Sequence, residues 1–243
     1  MLATGLTRRA RAIGPGSALR IGQLLLPGVA QEVRAGGLRR ALWEIDKRTS
    51  INVARDPVPL RLSDETLWET PFLYLSGDRA FPSPSTREIE RLRRFLGLGG
   101  FLLVDSAEGR VGGSFDAAVR RLLADVFPPP AAGLTPLAED HVLWKSFYLV
   151  DRGAGRLLLA PLEAIQHDKR LVAVYCQNDL VGAFERDALG SWEHPCIPGG
   201  EAQRETAFRL AINVAMYALC LDYKADQVHV PFILKRRQWR PAP

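Results

Sequence analysis

Three apolar runs in this chain lead into an acid. Pro71-Phe72-Leu73-Tyr74-Leu75-Ser76-Gly77 runs into Asp78, Phe101-Leu102-Leu103-Val104 into Asp105, and Leu171-Val172-Ala173-Val174-Tyr175-Cys176-Gln177-Asn178 into Asp179. If the runs are neighbouring parallel strands, their carboxyl ends set three carboxylates on one rim, and such oxygen ligands suit Mg²⁺. An Asp at a strand end more commonly caps the next helix or binds loop amides, so no metal is assigned. The ligand-binding expectation rests on the rim as a whole, that is on Gly77, Asp78, Asp105, Ser106, Asn178 and Asp179.

Ser106 follows a buried run and precedes a loop containing Gly109, Gly112 and Gly113, the place where a nucleophile elbow exposes its side chain. The flanking glycines of G-x-S-x-G are absent from Val104-Asp105-Ser106-Ala107-Glu108. A serine nucleophile also needs a base, and among the four histidines His194, in Gly190-Ser191-Trp192-Glu193-His194-Pro195, is the candidate. Ser106 and His194 are thus the catalytic pair to look for, with His141, His167 and His229 read as surface residues. Cys176 is a second nucleophile candidate, although a free cysteine after a strand is usually small, buried and inert. His194 and Cys196, even taken with Cys176 and Asp179, lack the spacing of a zinc site. The chain has no C-x-x-C, H-E-x-x-H or GxxxxGK[ST], and no GxGxxG after its first strand. No cofactor is expected.

Short apolar runs alternating with amphipathic stretches must position these residues, and that alternation predicts βα units on a mostly parallel sheet. Strands are predicted over 19–26, 58–62, 71–77, 101–104 and 171–175, the second at an edge because Pro57 and Pro59 weaken it. Helices are predicted over 38–48, from Ser85, over 115–126 and over 201–220. Leu38, Ala41, Leu42 and Ile45 share one face of the first. Ser85 and Glu88 form a capping box on the second, whose Ile89, Leu92, Phe95 and Leu96 face inward while Arg87, Arg91, Arg93 and Arg94 are mostly solvated. Ser114 reads as the N-cap of the third, and residues 131–169 as irregular.

With 47% hydrophobic and 24% charged residues, the 243-residue chain has a globular composition. Its formal net charge of +5 is concentrated at the ends. Seven arginines, Arg34 among them, face Glu32 alone in residues 1–40. Lys235, Arg236, Arg237 and Arg240 stand in the last nine residues, and the body between is acidic. Nucleic acid is not the expected partner, because the basic residues lie in solvated arms or cap the body in a homo-oligomer. The organisation expected is a basic arm over 1–18, one α/β domain over 19–223 and a basic tail over 224–243. Three cysteines without a C-x-x-C pair fit a reducing, cytoplasmic location, and no stretch is long and apolar enough to span a membrane. The alternative is export on an atypical twin-arginine signal at Arg8-Arg9, where Gly14-Pro15-Gly16 stand in place of an apolar region.

PFLYLSGDRAF, EIERLRRFLGLGGFLLVDS, LVAVYCQNDLVGAFE and AFRLAINVAMYAL occur in that order. Together they make the chain resemble the DUF4159 family over about residues 19–223. The resemblance implies a three-layer flavodoxin-like, class I glutamine-amidotransferase-like α/β fold, with a central mostly parallel sheet and helices on both faces. Relatives in that wider superfamily carry a catalytic cysteine at the strand–helix elbow and a late histidine and glutamate. The elbow position here is Ser106, and His194-Pro195 is followed by Cys196 rather than glutamate. Glutamine hydrolysis is therefore not expected. The resemblance implies a non-catalytic ligand- or protein-binding scaffold domain, similar to accessory partners of MoxR-type ATPase and von Willebrand factor A systems. The alternative is a hydrolase using Ser106 or Cys176 with His194, or a metal held by Asp78, Asp105 and Asp179.

Overall fold

The apolar runs build a seven-stranded sheet in a computed structural model that describes residues 18–29, 33–131, 133–150 and 154–219. The strands are β1 (Ile21–Leu24), β2 (Val58–Leu60), β3 (Phe72–Gly77), β4 (Phe101–Ser106), β5 (Thr135–Pro136), β6 (Glu163–His167) and β7 (Arg170–Cys176). Four α-helices accompany them among the described residues: α1 (Ala35–Arg48), α2 (Thr86–Gly97), α3 (Ser114–Val126) and α4 (Gly200–Leu219). The strand order is β2-β1-β3-β4-β7-β6-β5. The first five strands in this order are parallel, β6 runs antiparallel to β7, and β5 antiparallel to β6. Both edge strands carry a proline, Pro59 in β2 and Pro136 in β5, which blunts each edge against pairing with another chain.

Every residue of β3 and β4 is buried, so side chains must leave the sheet to both sides with a period of two. Phe72, Tyr74, Phe101, Leu103, Val174 and Cys176 join Leu38, Leu42 and Ile45 of α1 and Ala207 and Phe208 of α4 in one core cluster. Leu73, Leu75, Leu102, Val104 and Tyr175 join Leu92 and Phe95 of α2 and Phe115, Val119 and Leu122 of α3 in the other. No helix among the described residues is long and apolar enough to cross a membrane.

The Ser85 capping box is present. Ser85 Oγ accepts from Glu88 N at 3.4 Å, and Ser85 N donates to Glu88 Oε2 at 2.9 Å. Ser85→Ala removes an N-cap acceptor and is expected to cost about 1 kcal/mol. A thermal melt followed by circular dichroism should show a fall of roughly 2–4 °C for a chain of this size. An unchanged melt would mean that Glu88 alone satisfies the helix start.

Several boundaries and roles differ from the sequence expectation. β1 is shorter than 19–26, with Leu19 adding a lone bridge to Val53, and β2 stops at Leu60. Residues 131–169, expected to be irregular, contain β5, a 3-10 turn over Val142–Lys145, and β6. Ser114 is the first residue of α3, not its N-cap. Glu108 caps that helix from the preceding loop, accepting from Ser114 N at 2.6 Å and Asp116 N at 3.4 Å. Arg91 and Arg93, expected in solvent, lie half-buried. Arg91 donates to the carbonyls of Leu62 and Asp64, and Arg93 to those of Val126 and Asp125 at the end of α3. His141 caps a 3-10 turn through Leu143 N and packs on the Tyr217 ring. The basic arm, the twin-arginine pair, Cys220, His229 and the basic tail lie outside the described residues, apart from Ala18.

Candidate functional site at the strand ends

β1 lies between β2 and β3 in the sheet. The connection out of β1 therefore runs to one side and the connection into β3 returns to the other, and the loops part at the carboxyl ends of these two strands. Clefts form at such switch points. A cleft of about 430 Å³ opens here, lined by Arg34 after β1, Asp78 after β3, Ala107 after β4, and Glu185, Glu193 and His194 after β7.

Arg34 and His194 of this lining join an ion network around Asp179, which is fully buried. Arg34 grips this carboxylate with two bonds, Nε to Oδ1 at 2.8 Å and Nη2 to Oδ2 at 2.6 Å, and Arg156 Nε adds a third at 2.6 Å. Both Arg34 (φ 61°) and Asp179 (φ 52°) have left-handed backbone, a conformation that non-glycine residues hold only where surrounding contacts enforce it. Burial works against the Arg34 charge, but the bonds and charge of Asp179 outweigh it and raise the guanidinium above its ordinary pKa. The other face of Arg34 donates from Nη1 to His194 Nε2. Burial, and then the Arg34 charge, lower the His194 pKa, which keeps the ring neutral and able to accept that bond.

Asp105 performs a different task. Its carboxylate, fully buried, accepts from Leu180 N at 2.7 Å, Val181 N at 2.8 Å and the Tyr74 hydroxyl at 3.3 Å. It thereby caps the 3-10 turn Val181–Phe184 that follows Asp179. Burial, reinforced by the neighbouring Asp179 charge, pushes its pKa up to about 7. Asn178 pins the adjoining loop, its Oδ1 accepting from Leu159 N and Ala160 N and its Nδ2 donating to the Ala160 carbonyl. Asp78 is partly exposed and pairs with its neighbour Arg79, whose hydrogen bonds pull its pKa down. Gly77 lets the Phe115 ring approach, since a Cβ there would sit 2.3 Å from it.

Asp78, Asp105 and Asp179 are thus each engaged by different partners. One is tied to Arg79, one caps a turn and one is neutralised by two arginines, and no group of three or more metal-ligating side chains able to hold an ion occurs among the described residues. Ser106 and His194 are not hydrogen-bonded to each other among the described residues. Strand alternation sends Ser106, fully buried, to the face opposite Asp105, beside Tyr175, and its Oγ accepts from Glu108 N at 3.4 Å. His194 belongs to the α1 and α4 side, with its carbonyl bonded to Arg204. Cys176 is fully buried, and burial raises its pKa well above that of a free thiol, the opposite of nucleophile activation.

Sequence reasoning missed Arg34, Arg156, Glu108 and Glu185. Glu185 sits over the start of α1, where burial raises its pKa and the nearby N–H groups of Gly37 and Gly36 oppose that rise. A readable signal was the glycine pair opening α1, because a Cβ at Gly37 would lie 2.3 Å from the Val181 carbonyl. Three helix starts thus hold a carboxylate of the protein itself: Glu185 on α1, Glu88 on α2 and Glu108 on α3. Asp105 does the same for the 3-10 turn after β7. Helix starts are where phosphates bind, so these are already filled.

No curated protein matches the chain. A family model described as a domain of unknown function, DUF4159, matches residues 21–219, a range that takes in every strand and α-helix described above, and the chain belongs to the DUF4159 family.

Proposed function

We propose that this chain is a non-catalytic binding domain on a three-layer, flavodoxin-like scaffold of the class I glutamine-amidotransferase type, and that it receives a small ligand or a partner segment at the strand-end rim. The observation that carries the reading is the employment of the rim side chains. Asp179 is held by two arginines, Asp105 caps a turn, and Ser106 is buried on the far face of the sheet. A nucleophile needs a base within hydrogen-bond reach, and among the described residues neither Ser106 nor Cys176 is hydrogen-bonded to a histidine. The parallel strand order β2-β1-β3-β4-β7, with a core cluster on each side, supports the scaffold assignment. The free, buried Cys176 and Cys196 support a reducing compartment, and the family resemblance supports an accessory role beside a MoxR-type ATPase and von Willebrand factor A partner.

The purified full chain should not hydrolyse p-nitrophenyl acetate, p-nitrophenyl phosphate or glutamine faster than Ser106→Ala and His194→Ala variants that melt like the parent. Turnover that disappears in either variant, with the melt preserved, would sink this reading in favour of a hydrolase.

A further inference from the structure

Of the eight large apolar side chains exposed among the described residues, four gather on three adjoining segments of the rim: Val111 at 53%, Leu158 at 43%, Leu159 at 39% and Ile197 at 52%. The segments are tied together. Ile197 N donates to the Arg156 carbonyl at 2.8 Å, and Gln203 Nε2 donates to the carbonyls of Gly155, Arg156 and Ile197 at 2.8–3.0 Å. Asn178 fixes Leu159 and Ala160, as described above. A Cβ at Gly109 would lie 3.5 Å from Arg156 Nη2 and 3.8 Å from Leu157 Cδ1, so the 107–113 loop rests against the same segment.

Such a framework holds these side chains out in water, where an apolar patch is disfavoured unless something covers it. Arg156 stands on the same segments, with its carbonyl bound by Ile197 N and its guanidinium next to Gly109. Its Nε is bound to buried Asp179, and its Nη1 and Nη2 have no partner among the described residues, while its side chain is 18% exposed. Arg110, beside Gly109, has a side chain 67% exposed, and among the described residues its one recorded ion pair is a 3.5 Å approach to Glu108. An arginine pre-oriented by a buried carboxylate on segments that expose apolar side chains is the kind of anchor that interfaces use, and its open donors suit a carboxylate. Charge complementarity thus selects the occupant.

We propose that this patch docks a segment of a partner protein that presents leucine-type side chains next to carboxylates. The proposal rests on the binding-domain reading and names its partner chemistry.

Its test is fluorescence anisotropy of the full chain with a labelled amphipathic peptide of leucine and glutamate, compared with versions in which the leucines are serine or the glutamates lysine. The leucine–glutamate peptide is expected to bind saturably with a Kd of about 100 μM or tighter. Leu158→Ser, Ile197→Ser and Arg110→Glu should each weaken it about fivefold or more, and Leu98→Ser, at the far end of α2, should leave it unchanged. Absence of saturable binding, or equal binding of either altered peptide, overturns the proposal. So does a dimer seen by light scattering that Leu158→Ser dissociates, because the patch would then join two copies of this chain. Failure here in a chain that turns over no substrate removes the docking surface and leaves the binding-domain reading; turnover dependent on Ser106 or His194 removes that reading itself.

Discussion

Asp179→Ala is expected to lower the melting temperature of the chain by roughly 10 °C, the largest effect of any single substitution at the rim. Removing one partner of a buried ion pair costs about 3–5 kcal/mol, because the charge left behind keeps its desolvation penalty. In a chain of this size, each kcal/mol moves the melt by roughly 2–4 °C. Two guanidinium groups are left behind here, Arg34 and Arg156, with side chains only 15% and 18% exposed. The variant also places alanine in left-handed backbone, where asparagine is at ease. Asp179→Asn separates the two contributions: it keeps the shape and tolerates the backbone while removing the charge, so most of the loss should remain. Asp179→Ala combined with Arg34→Met should cost less than the sum of the single changes, since the two residues share one network. A shift under about 2 °C for Asp179→Ala would mean that water reaches the network and screens it.

That network shows where sequence reading stops. β3, β4 and β7 were legible because they are central and buried on both faces, so nearly every residue in them is apolar and no phase is needed to find them. α2 was legible from a cap, a stripe and a glycine stop lying within one short stretch. Arg34 was not: it is one of seven arginines in the basic first 40 residues, and its partner is 145 residues away. Glu108 and Glu185 were hidden because they reach helix starts from loops, outside the local spacing of a capping box. β6 escaped because it is one half of a hairpin turning at Asp168-Lys169, both with positive φ, where Asn-Gly or Asp-Gly would have announced the turn. The rim acids were visible as a set, but their tasks depend on which loop amides and arginines the topology brings to them.

Asp105 extends this to pH. A carboxyl group held at a raised pKa binds its proton in the folded chain under conditions where the unfolded chain has released it. Stability therefore falls as pH rises between the unfolded value of 3.8 and the folded value of about 7, and levels off above that. Glu185, also raised by burial, acts in the same direction. Asp78 and Glu108, both lowered, act oppositely, but their contribution is already present above their ordinary values and is lost only as pH falls further. The melting temperature should thus be highest near pH 4, and between pH 5 and pH 8 it should drop by roughly 5–10 °C, given 1.36 kcal/mol per pH interval for one proton and the melt sensitivity used above. Asp105→Asn should melt lower at pH 5, because one of the two N–H donors of Leu180 and Val181 then faces an amide NH₂ instead of an oxygen. Its decline from pH 5 to pH 8 should be much shallower, since the group that releases the proton is gone. A parent chain whose melt stays level or rises over that interval, or a variant with an undiminished slope, would show that the Asp105 carboxylate is already ionised in the folded chain, stabilised by the two amides and Arg34 against its burial.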